Sequence, residues 1–165
     1  MQVPDVLLSS FRADPLSLGW LARHMPVVLY LYPGGGSSRA DGEQSAALDA
    51  VEHRTFRDHQ ADLAAVRHRT VGISSQPTGA QLGSAFACRL EHELLSDPKL
   101  LLARALGLPT FTTDGERWYE RVTLLARDGV IERVFFPVDA GRSAAQALAW
   151  IRLHGGNADV DSDAG

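Results

Sequence analysis

The sequence predicts a three-layer α/β domain built on a central mixed β-sheet flanked by helices. Three observations carry that expectation. Residues 27–32 form a continuous apolar run rich in β-branched and aromatic side chains, the pattern of a strand covered on both faces. A long amphipathic stretch, 46–66, separates it from a second short apolar run, 70–75, and a strand-helix-strand order of that length argues for a right-handed parallel unit. Two Asp-Gly pairs, Asp114-Gly115 and Asp128-Gly129, then punctuate the runs 110–113, 117–127 and 130–138. Such pairs are the strongest short-range hairpin signal, so an antiparallel meander should complete the sheet.

The remaining elements follow in order. Residues 3–10 alternate in character behind Pro4 and read as a strand, and Asp14-Pro15-Leu16 opens a brief helix that ends near His24. Pro33 stops the central strand, and Gly34 to Gly36 follow it, where the backbone can approach a ligand or a neighbouring segment closely. In the long helix the apolar positions are Ala47, Leu48, Val51, Phe56, Leu63 and Val66, with charges on the other face. Residues 81–90 read as a further helix and 94–98 as a short extended link. Ser96 or Asp97 is placed to cap the helix 99–106, which Gly107 terminates. A closing helix spans 143–154. Residues 155–165 are small, acidic and poor in apolar groups, and are expected to be a disordered tail behind a single domain of residues 1–154. The order of elements is thioredoxin-like.

Composition narrows the function. The chain has 165 residues, 45% of them hydrophobic, enough for one full core without metals or disulfides. A formal charge of −4 with scattered arginines offers no reason for a polyanionic partner, which argues against nucleic acid. There is one cysteine, no signal-peptide pattern and no apolar run of membrane-spanning length, so the expected setting is cytoplasmic and away from membranes.

Five segments, in order, resemble the peroxiredoxins: Val27-Val28-Leu29-Tyr30-Leu31-Tyr32-Pro33, Phe56-Arg57-Asp58-His59, Val71-Gly72-Ile73-Ser74, Leu94-Leu95-Ser96-Asp97-Pro98 and Arg121-Val122-Thr123-Leu124. The resemblance is strongest to the alkyl hydroperoxide reductase and thiol-specific antioxidant, bacterioferritin-comigratory-like branch, and extends from about Pro4 to Trp150. It implies a peroxiredoxin-type thioredoxin-like fold and allows a homodimer. It also implies a Pro-Thr-Cys loop leading into a helix, where a thiolate attacks a peroxide, and an arginine on a later strand that orients the oxygens. Arg121 matches that arginine. Counting forward from Pro33 places Ser37 at the threonine and Ala40 at the cysteine. Counting back from Phe56-Arg57-Asp58 places Asp49 at the cysteine and Arg54 where some relatives keep a second one. The second register is preferred, because 39–45 look like an insertion. Neither offers sulfur, and neither alanine nor aspartate can form a sulfenic acid.

The candidate site is therefore Asp49 and Arg121 as catalytic groups, with Tyr32, Pro33, Ser37 and His53 toward a small-molecule substrate, and with no metal or cofactor. A guanidinium beside a helix N-terminus makes an anion-friendly pocket; the plain alternative is a strand arginine paired with Glu120 or Glu132. Asp49, Glu52 and His53 share one helix face at i, i+3 and i+4, where a carboxylate and an imidazole could act as general acid and base. For Glu52 and His53 the plainer reading, a solvated face with local ion pairs, is preferred. Tyr30 and Tyr32 are read as dividing their hydroxyls between the pocket and the underside of a helix. His59, His68, His92 and His154 read as surface residues, Pro109 as a turn residue, and Cys88, the sole thiol, as packing. Three functions remain open. They are cofactor-free acid–base chemistry on a small oxygenated or anionic substrate, a non-catalytic binding or regulatory module, and a residual thiol peroxidase or oxidoreductase using Cys88.

Overall fold

The computed structural model describes residues 1–34 and 42–154. Its elements are Leu7–Ser10 (β1), Leu16–Ser17 (β2), Leu18–His24 (α1), Val27–Leu31 (β3), Gly42–Asp58 (α2), Gln60–Ala65 (α3) and Arg69–Ser74 (β4), then Thr78–Cys88 (α4), Glu93–Ser96 (β5), Leu101–Leu106 (α5), Thr110–Thr113 (β6), Glu116–Tyr119 (β7), Val122–Arg127 (β8), Val130–Phe135 (β9) and Ser143–His154 (α6). The main sheet runs β2-β1-β5-β4-β3-β8-β9. β3, β4 and β5 are parallel, whereas β8 joins β3 antiparallel and makes the sheet mixed.

β3 lies near the middle of this sheet and every one of its residues is buried. Side chains alternate along a strand, so Val27, Leu29 and Leu31 enter one apolar layer with Leu18 and Leu21 of α1 and Leu102 of α5. Val28 and Tyr30 enter the other, with Phe56 of α2, Ala85 of α4 and Ala147, Leu148 and Ile151 of α6. These are the three layers expected from the sequence.

Both Asp-Gly pairs close hairpins. Asp114 and Gly115, like Asp128 and Gly129, all have positive φ, the geometry that matches the twist of paired strands. The expected single meander, however, is two hairpins. β6 and β7 form a separate two-stranded sheet, and the predicted strand 117–127 breaks at Glu120-Arg121, where the Glu120 N–H donates to the Pro109 carbonyl. Residues 94–98, read as a link, instead supply β5, which pairs with β4. Asp97 does cap the next helix: its carboxylate accepts from the Leu101 and Leu102 N–H groups at 2.8 and 3.1 Å. Tyr119 also donates to it at 2.6 Å, which ties β7 to the start of α5.

Three more expectations are corrected. The helix predicted over 81–90 begins at Thr78 and ends at Cys88, with Arg89 left-handed behind it. The helix predicted over 46–66 is divided at His59, whose ring nitrogen lies 2.7 Å from the Thr55 carbonyl that its own N–H also uses. The burial of α2 is also reversed along part of its length: Leu48 and Val51 are 43% and 41% exposed, while Asp49, Glu52 and His53 are buried. The gap 35–41 leaves Gly35, Gly36, Ser37 and Ala40 outside the described residues, as is the predicted tail 155–165.

Candidate functional site

The inward polar stripe of α2 meets Arg121. Asp49 and Glu52 are three residues apart on the helix, so both carboxylates point the same way. Arg121 sits in the two-residue break before β8, and reaches both of them. Its Nη2 is 2.9 Å from Asp49 Oδ1, and its Nη1 donates to Glu52 Oε1 at 3.1 Å. One cation thus serves two carboxylates in a place with almost no water; Glu52 is only 1% exposed.

Burial decides their ionisation. It pushes Asp49 up to about 6, against the pull of the Arg121 guanidinium and the Gly34 N–H. Glu52 goes up to about 7 for the same reason, aided by the charge of Asp49 and opposed by Arg121 and Ser143. A second ionised carboxylate would be in excess of the single guanidinium, so the pair carries a proton close to neutral pH.

Beneath this cluster runs a buried chain of aromatic side chains. The Tyr30 hydroxyl lies 2.8 Å from His53 Nδ1 and 2.7 Å from His92 Nε2. Burial holds both imidazoles down, His53 to about 3 and His92 to about 4, so both are neutral across the physiological range. The Tyr30 ring stacks on Phe56 at 4.2 Å between centroids, and Tyr32 meets the edge of His53 at 4.6 Å. Room for this arrangement comes from Gly72 on β4. A Cβ there would lie 2.7 Å from Tyr30 Cζ and 2.6 Å from Leu94 Cδ2.

The predicted site residues come together only in part. Asp49, Arg121, Tyr32 and His53 gather between α2 and the end of β3, buried Pro33 follows Tyr32 in the chain, and Gly34, at φ 91°, carries the chain past Gln76. Ser37 lies outside the described residues. Glu52 and His53 are not on a solvated face: Glu52 pairs with Arg121, and His53 with Tyr30. Tyr30 and Tyr32 do not divide between two faces. Residues two apart on a strand share a face, and their rings are 5.9 Å apart in one layer. His92 and His68 are buried, not surface residues. Cys88 is buried, as expected, in the layer that holds Phe56 and Leu94, and its carbonyl accepts from Arg57 at 2.8 Å. Among the described residues, no three His, Cys, Asp or Glu side chains are grouped so as to hold a metal ion, and no helix is long and apolar enough to cross a membrane.

No protein-family model matches the chain. A curated protein of Mycobacterium tuberculosis (strain CDC 1551), provisionally named a peroxiredoxin, is 26% identical over 147 residues, which cover 89% of this chain and 82% of that protein. The crystal structure of peroxidoxin BcpB from Mycobacterium tuberculosis has a TM-score of 0.78 and 27% identity, and the match covers 93% of this chain and 96% of that one. The chain is thus similar to peroxiredoxins in sequence and in fold, including those of the bacterioferritin-comigratory type. The bacterioferritin comigratory protein of Xanthomonas campestris shares the fold at a TM-score of 0.76 and 18% identity, over 92% of each chain. The thioredoxin-like architecture read from the sequence is therefore the one present. In this chain the sole cysteine is Cys88, on α4.

Two functional groups were not assigned to the site from the sequence: Glu52, weighed but read as a solvated ion-pairing residue, and His92, read as a surface residue. A sequence signal existed for the first: Glu52 lies one turn from Asp49, on the same face as Phe56. For His92 there was none, because its contact spans 62 residues of chain.

Proposed function

We propose that this peroxiredoxin-family chain carries out cofactor-free acid–base chemistry on a small, uncharged, oxygenated substrate at the cluster of Asp49, Glu52 and Arg121. The observation that carries this reading is the pair of buried carboxylates on one guanidinium, 2.9 and 3.1 Å away, with pKa values pushed up to about 6 and about 7. A carboxyl that is half protonated near neutral pH can both give and take a proton at little cost. Asp49 stands where one register places the family's thiol, so the acid–base pair takes over a site from which sulfur is missing. An anionic substrate fits less well than the sequence suggested. Two carboxylates already balance or exceed the charge of Arg121, and an incoming anion would be repelled.

The test offers the purified protein a panel of small esters, lactones, epoxides and hydroperoxides. Turnover of an uncharged member is expected, falling about a hundredfold or more in Asp49→Asn and unchanged in Cys88→Ser. Turnover lost in Cys88→Ser but kept in Asp49→Asn would instead establish the thiol reading. A non-catalytic ligand-binding or regulatory role is the second reading, and it too has an observation in its favour, since Arg121 is satisfied by protein carboxylates without any ligand. Saturable binding of a panel member with no turnover would establish it.

A further inference from the structure

At the opposite end of the Tyr30 chain is a cavity of about 300 Å³ lined by Arg12, Gln60, Arg69, Thr70, Glu91, His92 and Glu93. It opens at the start of β4 and β5, and its wall is polar. Two of its lining groups are buried and have no hydrogen-bond partner among the described residues, His92 Nδ1 and the Thr70 hydroxyl. Buried polar atoms are nearly always paired, so two orphans on one small cavity point to something that pairs them. The charged lining is balanced, two arginines against two glutamates. A ligand carrying one charge would leave half of this wall unmatched, whereas one carrying both signs can match it.

The inner end of the chain has its own orphan, His53 Nε2. A tyrosine hydroxyl has one proton to give, and two neutral imidazole nitrogens face it. Tyr30 must therefore donate to one histidine and accept from the other, because two donors would leave its own proton without an acceptor. Only two arrangements satisfy this. If His92 Nδ1 is the acceptor toward the cavity, His92 Nε2–H donates to Tyr30, Tyr30 donates to His53 Nδ1, and His53 Nε2 carries a proton. If His92 Nδ1 carries the proton, every bond reverses, and His53 Nε2 presents a lone pair. The two arrangements hold the same number of protons and differ only in where they sit, on His92 Nε2, Tyr30 and His53 Nε2 in the first and on His92 Nδ1, Tyr30 and His53 Nδ1 in the second, with exchange through bulk water closing the balance.

We propose that this cavity binds a small zwitterion, of the free amino acid class, and that its contact with His92 Nδ1 sets the tautomer of His53 through Tyr30. The proposal stands apart from any chemistry at Asp49, and its readout needs none. Protein labelled with ¹⁵N in its histidines is titrated with glycine, serine and glutamate, and the ring nitrogens are followed by long-range proton–nitrogen correlation. The expected result is a saturable change at both His92 and His53. In Tyr30→Phe only His92 responds, and in Thr70→Val, which keeps shape and loses the hydroxyl, binding weakens about tenfold. If Tyr30→Phe does not fold, Thr70→Val and the wild-type response still decide. No change at His92 with any of the three amino acids overturns the site. A His92 change with His53 unmoved, or a His53 response that survives in Tyr30→Phe, overturns the relay.

Discussion

Replacing Glu52 by glutamine isolates the effect of burial at the cluster. Glutamine keeps the shape of the side chain and cannot ionise. In the unfolded chain Glu52 titrates near 4.5, whereas folding holds it near 7. The folded state therefore binds the proton more tightly, and its stability falls as pH rises from the unfolded value through the folded one. Between about pH 5 and about pH 8.5 this loss amounts to about 2–3 kcal/mol in the wild type, and Glu52→Gln does not suffer it. His53 and His92, which are held low and so oppose this trend at acid pH, are present in both proteins and cancel in the comparison. Urea unfolding of both proteins at the two pH values measures the difference. The variant should gain on the wild type by about 2–3 kcal/mol on going to the higher pH. A difference that stays constant with pH would refute the reasoning, because it would mean that Arg121 outweighs desolvation and Glu52 is an ordinary ionised carboxylate.

Other outcomes can be stated from the same geometry. Arg121→Met leaves two buried carboxylates without their cation and should cost about 3–5 kcal/mol at neutral pH, less at acid pH where both are protonated; an equal cost at both would refute the charge argument. Tyr119→Phe removes the hydroxyl that donates to Asp97 and accepts from the Ala103 N–H, and should lower stability by about 1–3 kcal/mol in chemical denaturation. Gly72→Ala drives a methyl group against Tyr30 and Leu94. It should cost about 1–3 kcal/mol and shift the ring nitrogens of His53 and His92, and unchanged histidine signals would show that Tyr30 does not depend on that space. Cys88, buried in the apolar layer, should be oxidised by hydrogen peroxide no faster than an ordinary free thiol, as followed by stopped flow and mass spectrometry; a much faster reaction would return sulfur chemistry to this chain.

The sequence by itself determined the layers. The run at 27–32 had to be a doubly covered strand, because nothing in it could face water, and the two Asp-Gly pairs had to be turns, because their positive φ angles suit few other residues. A cap at Ser96 or Asp97, which proves to be Asp97, and Gly107 as a helix end were legible for the same reason: each is a rule about near neighbours. Asp49 and Arg121 could be paired only through the family resemblance, which supplied a long-range contact that local pattern does not contain.

Tertiary structure decided the rest. A helix with apolar residues at 48 and 51 would be expected to bury them. Here α2 instead turns Asp49, Glu52 and His53 inward, where Arg121 lies against both carboxylates and the Tyr30 hydroxyl against His53 Nδ1. Periodicity reports which face is apolar. It does not report that an arginine 69 residues away or a histidine 62 residues from Tyr30 waits to pair with the polar one. Whether a charged stripe is surface or site depends on those partners, and they are chosen by the packing of the sheet.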